Sequence, residues 1–274
     1  ASSSHRWLEC PPSAKLCAEL PDTSSEYAQE GTDAHALCEH RLKALLGRET
    51  TDPTENLTYY NEEMERCAVE YATYAYEQVK KAKVACNDPI VLIEQKLDFS
   101  RWVPEGFGTG DCVIVADGTL SVIDFKYGKG VEVRAENNPQ MMLYALGALE
   151  SFDGIYDISA VNMIIFQPRR DNISEYAISK EELLRWANEI LTPTAQLAAN
   201  GDGDFKAGKH CRFCKVRATC RKLAEYNLAL ARYDFEPPAT LDNIEIAAIL
   251  AKADELVSWV TDVNEYALRQ ALSG

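Results

Sequence analysis

The segment Asp111–Lys126, "DCVIVADGTLSVIDFK", constrains the fold of this chain more than any other. Two β-branched apolar runs flank Asp117-Gly118, the dipeptide type that suits a two-residue hairpin loop. With those two residues as the loop, Ala116 faces Thr119, and counting back along both strands sets Asp111 across from Asp124. Their Cβ atoms are then about 4.5–5.5 Å apart. Opposed like charges in a Val/Ile/Leu hairpin are unfavourable unless they share a proton or a cation. Lys126, two positions beyond Asp124, falls on the same face. Two carboxylates suit Mg²⁺ or Mn²⁺, which take oxygen ligands. Such an ion acidifies a bound water and polarises a phosphate, and a lysine beside it orients the water or steadies developing charge. A plainer reading stays open, with Asp111 in solvent and Asp124–Lys126 a surface ion pair.

The rest of the chain frames this hairpin. Residues 1–20 read as irregular. Ser24–Leu46 reads as a helix stopped by Gly47, and Asn61–Val84 as a long helix. Pro89 opens a strand, Ile90–Phe99. Pro139–Ser151 reads as a helix, Ile158–Pro168 as a buried strand, Ile173–Ile178 as an edge strand and Lys180–Ala199 as a helix. Glu236-Pro237-Pro238 breaks the chain before a helical stretch, Leu241–Leu272. The expected class is α/β (α+β), a small mixed central sheet flanked by helices.

Other side chains fall into suggestive places. Gly31 and His35 share a helical face, so His35 leans over a residue without a side chain. Glu94 alternates with Lys96 on the strand before the hairpin, as a further ligand, a base or part of a solvated face. Gln140 and Tyr144 share one helical face, where simple packing is the alternative.

Nine cysteines are an odd number. Cys17, Cys38, Cys67, Cys86 and Cys112 show no pairing pattern and read as reduced thiols of a cytosolic protein. Cys211, Cys214 and Cys220 form C-x2-C-x5-C. The net charge is −15, which opposes bulk-charge binding of nucleic acid. Phe205–Lys222 nevertheless holds seven Lys/Arg and no acid, leaving 21 basic against 43 acidic residues elsewhere. A basic island on an acidic body suits a confined nucleic-acid contact. No apolar run approaches the roughly 18–20 residues a membrane span needs. The opening "ASSSHRWLEC" has no apolar segment like a signal peptide. No G-x-x-x-x-G-K-[ST] occurs, so any helicase is a separate partner.

Taken in order, these motifs resemble the PD-(D/E)XK nuclease superfamily, in its RecB-type branch. Gly31–His35 looks like the G-x-x-x-H helix, Gly108–Asp111 like the G-x-x-D strand, Asp124-Phe125-Lys126 like (D/E)-x-K, and Gln140 with Tyr144 like the Q-x-x-x-Y helix. The departures are the absence of a proline before Asp111 and Asp in place of Glu in (D/E)-x-K. The resemblance implies a restriction-endonuclease-like core and a Mg²⁺- or Mn²⁺-dependent deoxyribonuclease acting on single-stranded or end-containing DNA. It implies His35, Asp111, Asp124 and the Phe125 carbonyl as metal ligands, Lys126 as catalytic lysine, and Gln140 and Tyr144 at the substrate or in support of the site.

A subset of the branch carries one N-terminal cysteine and a later C-x2-C-x5-C that together hold a [4Fe–4S] cluster. By that resemblance Cys10, with Cys17 as second choice, joins Cys211, Cys214 and Cys220; a structural zinc on the same thiols, or one also using His210 or His5, is the rival. The implied domains are residues 1–232, a nuclease domain closed by the cluster, and 233–274, a helical extension. Expected partners are DNA and a separate helicase or recombinase. The expected location is the cytoplasm, or the host cytoplasm for a phage-encoded protein. A non-catalytic DNA-binding module and a recruitment subunit of a recombination complex remain as alternatives.

Overall fold

The computed structural model describes residues 1–21, 25–229 and 241–273. The chain divides into two compact units, Ala1–Ser4 with Asp22–Pro193, and His5–Pro21 with Thr194–Gly274.

The first unit is built on a five-stranded sheet, β1 (Ile90–Asp98), β2 (Phe107–Ala116), β3 (Gly118–Phe125), β4 (Ile158–Gln167) and β5 (Asn172–Ser179), ordered as in the sequence. The hairpin register holds from Cys112↔Ile123 to Ala116↔Thr119, with Gly118 at φ +85° in the turn. β3 and β4 run parallel while the other neighbours are antiparallel. A parallel pair needs a long crossover, and α5 (Pro139–Phe152) supplies it. Asn138 caps α5 by accepting from the amides of Gln140 and Met141, and Pro139 suits the first turn.

α3 (Glu26–Leu45) and α4 (Glu62–Ala85) are capped by Ser25 and Asn61. They bury Leu37, Leu42, Met64, Tyr71 and Val79 against Val91, Cys112, Ile114, Ile123, Phe125 and Phe166 of the sheet. Residues of alternate parity, Leu120 and Val122, are also fully buried, on the face where α5 packs. A sheet covered on both faces explains why β3 and β4 read as apolar runs rather than as alternating patterns. β5 lies at the sheet's edge and alternates in exposure, as its sequence suggests.

Two readings need correction. The stretch expected to be irregular holds two six-residue helices, α1 (Ser4–Glu9) and α2 (Ser13–Ala18). Helices this short complete too few turns to show a 3.6-residue pattern, and Pro11-Pro12 leads into α2 rather than opening a loop. The helix expected across Lys180–Ala199 is interrupted. α6 (Lys180–Trp186) passes through a π-helical turn, Ala187–Leu191, into α7 (Thr192–Asn200). Pro193 has no amide to donate to Glu189, and a wider turn absorbs the break.

In the second unit α2 and α7 meet at Lys15, whose ammonium donates to the carbonyl of Asn200. A 3₁₀ turn, Lys209–Phe213, precedes α8 (Arg221–Leu228), which packs on α9 (Asn243–Ser273). Glu236-Pro237-Pro238 and the expected boundary after residue 232 lie outside the described residues. Among the described residues no helix is long and apolar enough to cross a membrane.

Candidate active site

The hairpin, β1, α3 and α5 converge in the first unit. Ile93 pairs with Cys112 and Gln95 with Gly110, so Glu94 stands across from Asp111 at a level where the ladder lapses. Glu94 has φ +50°, a conformation non-glycine residues seldom adopt. The lapse turns the strand over. Val91 and Ile93 pack with the α3/α4 core, whereas Leu97 lies against Gly147 of α5. Strict alternation would have kept all three on one face, and the reversal redirects the Glu94 side chain as bulges and strained levels do beside functional sites.

His35 of α3 points into this level. Its Nδ1 lies 3.3 Å from Asp111 Oδ1 and 3.9 Å from Glu94 Oε1, with its ring edge-on to Phe125 at 5.4 Å. Among the described residues, His35, Glu94 and Asp111 form the one group whose ligand atoms all lie within 4.8 Å of one another. The space a Gly31 side chain would take is open, as the helical spacing suggested. Asp111 Oδ2 accepts the Phe125 amide at 2.6 Å, which locks its carboxylate against the next strand.

Asp124 stands outside the triad. It is buried, its Oδ2 lies 2.8 Å from Lys126 Nζ, and that oxygen has no well-aligned hydrogen bond. Lys126 Nζ donates to Gln140 Oε1 at 3.1 Å, and Gln140 Nε2 donates to the Tyr144 hydroxyl at 2.8 Å. Gln140 and Tyr144 are therefore linked to the hairpin lysine in a hydrogen-bonded chain. Gly108 serves this arrangement, since a Cβ there would sit 2.6 Å from the Tyr144 ring.

The electrostatics are those of a charge cluster short of cations. Burial opposes charge on His35, but Asp111, Asp124 and Glu94 outweigh it and raise its pKa to about 9. Burial and the Asp111 charge push Glu94 up to about 7. Burial likewise raises Asp124, against the pull of Lys126. Lys126 is raised as well, because Asp124 and Asp111 more than offset its desolvation. Burial and the Asp124 charge push Tyr144 up to about 12.

Gln167 carries no motif signal beyond being a polar residue at the end of an apolar strand. It is buried, donates to the carbonyls of Gly128 and Val131 at 2.7 and 2.8 Å, and accepts the Val133 amide at 3.2 Å. It thereby pins the loop that comes after Lys126.

In the second unit Cys10, Cys211, Cys214 and Cys220 line one open cavity of about 340 Å³. Cys17 Sγ lies 3.8 Å from Cys214 Sγ. Among the described residues no three cysteine sulfurs come within 4.8 Å of one another. Burial pushes the Cys214 thiol up to about 12 and raises Cys211.

A family model described as "protein of unknown function (DUF2800)" matches residues 1–274. The chain belongs to the DUF2800 family. Among solved structures it is similar to SSO0001, at 14% identity over 68% of this chain and 95% of that one, with a TM-score of 0.28. It is also similar to an Eubacterium rectale protein provisionally named an exonuclease, at 11% identity over 73% and 77% of the two chains, with a TM-score of 0.37. Likenesses this distant say nothing of the chemistry of this chain.

Proposed function

We propose that this DUF2800 protein is a divalent-metal-dependent nuclease that hydrolyses phosphodiester bonds of single-stranded or end-containing DNA. The observation that carries the reading is the convergence of His35, Glu94 and Asp111 beside the Asp124–Lys126 pair. The donor set fits the ion: hard carboxylate oxygens, one imidazole and a buried Asp124 oxygen still lacking an aligned donor suit Mg²⁺ or Mn²⁺. His35, Glu94 and Asp111 would hold it, with Asp124 and the Phe125 carbonyl completing the shell. Such an ion supplies Lewis acidity and an acidified water.

The chain's own groups do the rest. Lys126 stays an ammonium because its pKa is raised, so it serves as a charged donor to a phosphate oxygen rather than as a base. Tyr144 stays neutral and accepts from Gln140, which leaves its own proton for a substrate oxygen. Gln140 accepts from Lys126 at 3.1 Å and so helps Asp124 fix the ammonium's direction.

The second unit is read as a [4Fe–4S] site on Cys10, Cys211, Cys214 and Cys220. Support comes from the four thiols lining one cavity. The Cys17–Cys214 approach matches the spacing that roughly 2.3 Å zinc–sulfur bonds require, so elemental analysis of anaerobically purified protein decides between the metals. Brown protein containing iron supports the cluster, and colourless zinc-loaded protein rejects it.

Labelled single- and double-stranded DNA with Mn²⁺ or Mg²⁺ tests the activity. Asp124→Ala and Lys126→Ala should each lower the rate by about 10²–10⁴-fold. Cleavage that survives both changes rejects the site.

A further inference from the structure

The basic island carries a second feature that the cavity does not use. Cys211 and Cys214 are buried against the cavity, which turns the two residues between them, Arg212 and Phe213, outward. Phe213 is 64% exposed. A single exposed ring is ordinary, so it is the surroundings of Phe213 that carry weight.

The turn that carries the ring is held by hydrogen bonds. The Phe213 carbonyl accepts from Arg6, the Arg212 carbonyl from Arg217, and the Cys214 amide donates to Cys211 at 3.0 Å. The Arg212 guanidinium lies 5.7 Å from the ring centre, and among the described residues it pairs with no acid. Three cations of the island are already neutralised, Lys206 by Glu9, Arg217 by Asp262 and Lys222 by Glu225. Lys209, Arg212 and Arg221 remain exposed.

An exposed aromatic face on a hydrogen-bonded turn, with an arginine beside it and further exposed cations in the same segment, suits an unpaired base that stacks while its phosphates meet the cations. Bases inside a duplex already have stacking partners and gain nothing from such a ring. The segment's two exposed rings, Phe205 and Phe213, stand among Lys/Arg, whereas the core of a protein interface is depleted of charge.

We infer that Phe213, with Arg212, is a stacking platform for unpaired bases of single-stranded DNA. The choice of DNA rests on the proposed nuclease activity; the stacking geometry does not.

The test measures fluorescence anisotropy of a labelled oligothymidylate with full-length protein in an Asp124→Ala background, which prevents turnover. Phe213→Ala should weaken binding by about 5- to 100-fold and leave the salt slope unchanged, since stacking releases no counterions. Phe213→Trp should retain the affinity. Arg212→Ala should weaken binding and lower the salt slope by about one. Thermal melting checks each variant. If Phe213→Ala melts early, Phe213→Leu, which keeps apolar bulk without the ring, must show the same loss. Affinity of Phe213→Ala within about twofold of its parent, an equal loss on blunt duplex, or tighter binding to the matching RNA overturns the assignment. Binding that depends on Phe213 without any cleavage by the unmutated protein sinks the nuclease reading alone. Cleavage with Phe213-independent binding sinks the platform alone.

Discussion

The two candidate sites are built in opposite ways. In the first unit the ligands come from neighbouring elements of one sheet and the helix against it, and they are charged and partly buried before any metal arrives. In the second, the cysteines come from both ends of the sequence, and burial raises the pKa of two of them, Cys211 and Cys214. The carboxylate site bears its electrostatic cost in the folded protein and partly offsets it by protonating His35 and Glu94. On the proposed reading, the first site would exchange a divalent cation and the second would keep its cluster.

The sharpest way to break this comparison is reciprocal substitution. Asp111→Asn keeps the acceptor for the Phe125 amide and removes the charge, so cleavage should fall by about 10³-fold while iron content is unchanged. On the proposed cluster, Cys211→Ser should abolish the iron and visible absorption and lower the melting temperature, yet leave Mn²⁺ binding at the first site. Loss of iron in Asp111→Asn would show that the sites are not independent.

A second test uses pH. His35 titrates at about 9 in the folded protein against 6.5 unfolded, and Glu94 at about 7 against 4.5. Both values are raised, so each contribution to stability is fully present below the unfolded pKa and fades as pH rises through the folded one. Metal-free protein should therefore melt progressively lower from about pH 5 to pH 9. Mn²⁺ must displace the same protons, so its affinity and the stabilisation it confers should rise across that window. Titration calorimetry in buffers of different ionisation enthalpy would count the released protons. Mn²⁺ affinity independent of pH would remove His35 and Glu94 from the ligand set.

The smallest expected effect belongs to Gly108→Ala. The new Cβ would meet the Tyr144 ring at 2.6 Å, so the ring must move. A destabilisation of about 1–3 kcal/mol is expected, with kcat lowered more than KM is changed. An unchanged melting temperature and rate would show that Tyr144 is free to move and is not held by Gln140.

Much of this site is legible in the sequence, for local reasons. Asp117-Gly118 fixes the hairpin register as far as Cys112↔Ile123, which leaves Asp111, Asp124 and Lys126 just beyond the last paired residues. Helical spacing relates Gly31 to His35 and Gln140 to Tyr144, and the C-x2-C-x5-C spacing marks three of the cysteines around the second unit's cavity. These relations depend on neighbours within a few residues, or on one turn whose geometry only a few dipeptides adopt.

Tertiary structure decided the rest. Glu94 joins His35 and Asp111 because its backbone takes a positive φ and reverses the face of β1, which period-two counting cannot foresee. Asp124 is held by Lys126 because burial leaves it no water to pair with. α1 and α2 exist because Trp7, Cys10 and Cys17 have something to be buried against, not because six residues favour a helix. Gln167 matters only through the loop it meets across the fold. Composition and spacing determine which residues share a face. What that face meets, and which charges must then be balanced, depends on long-range packing.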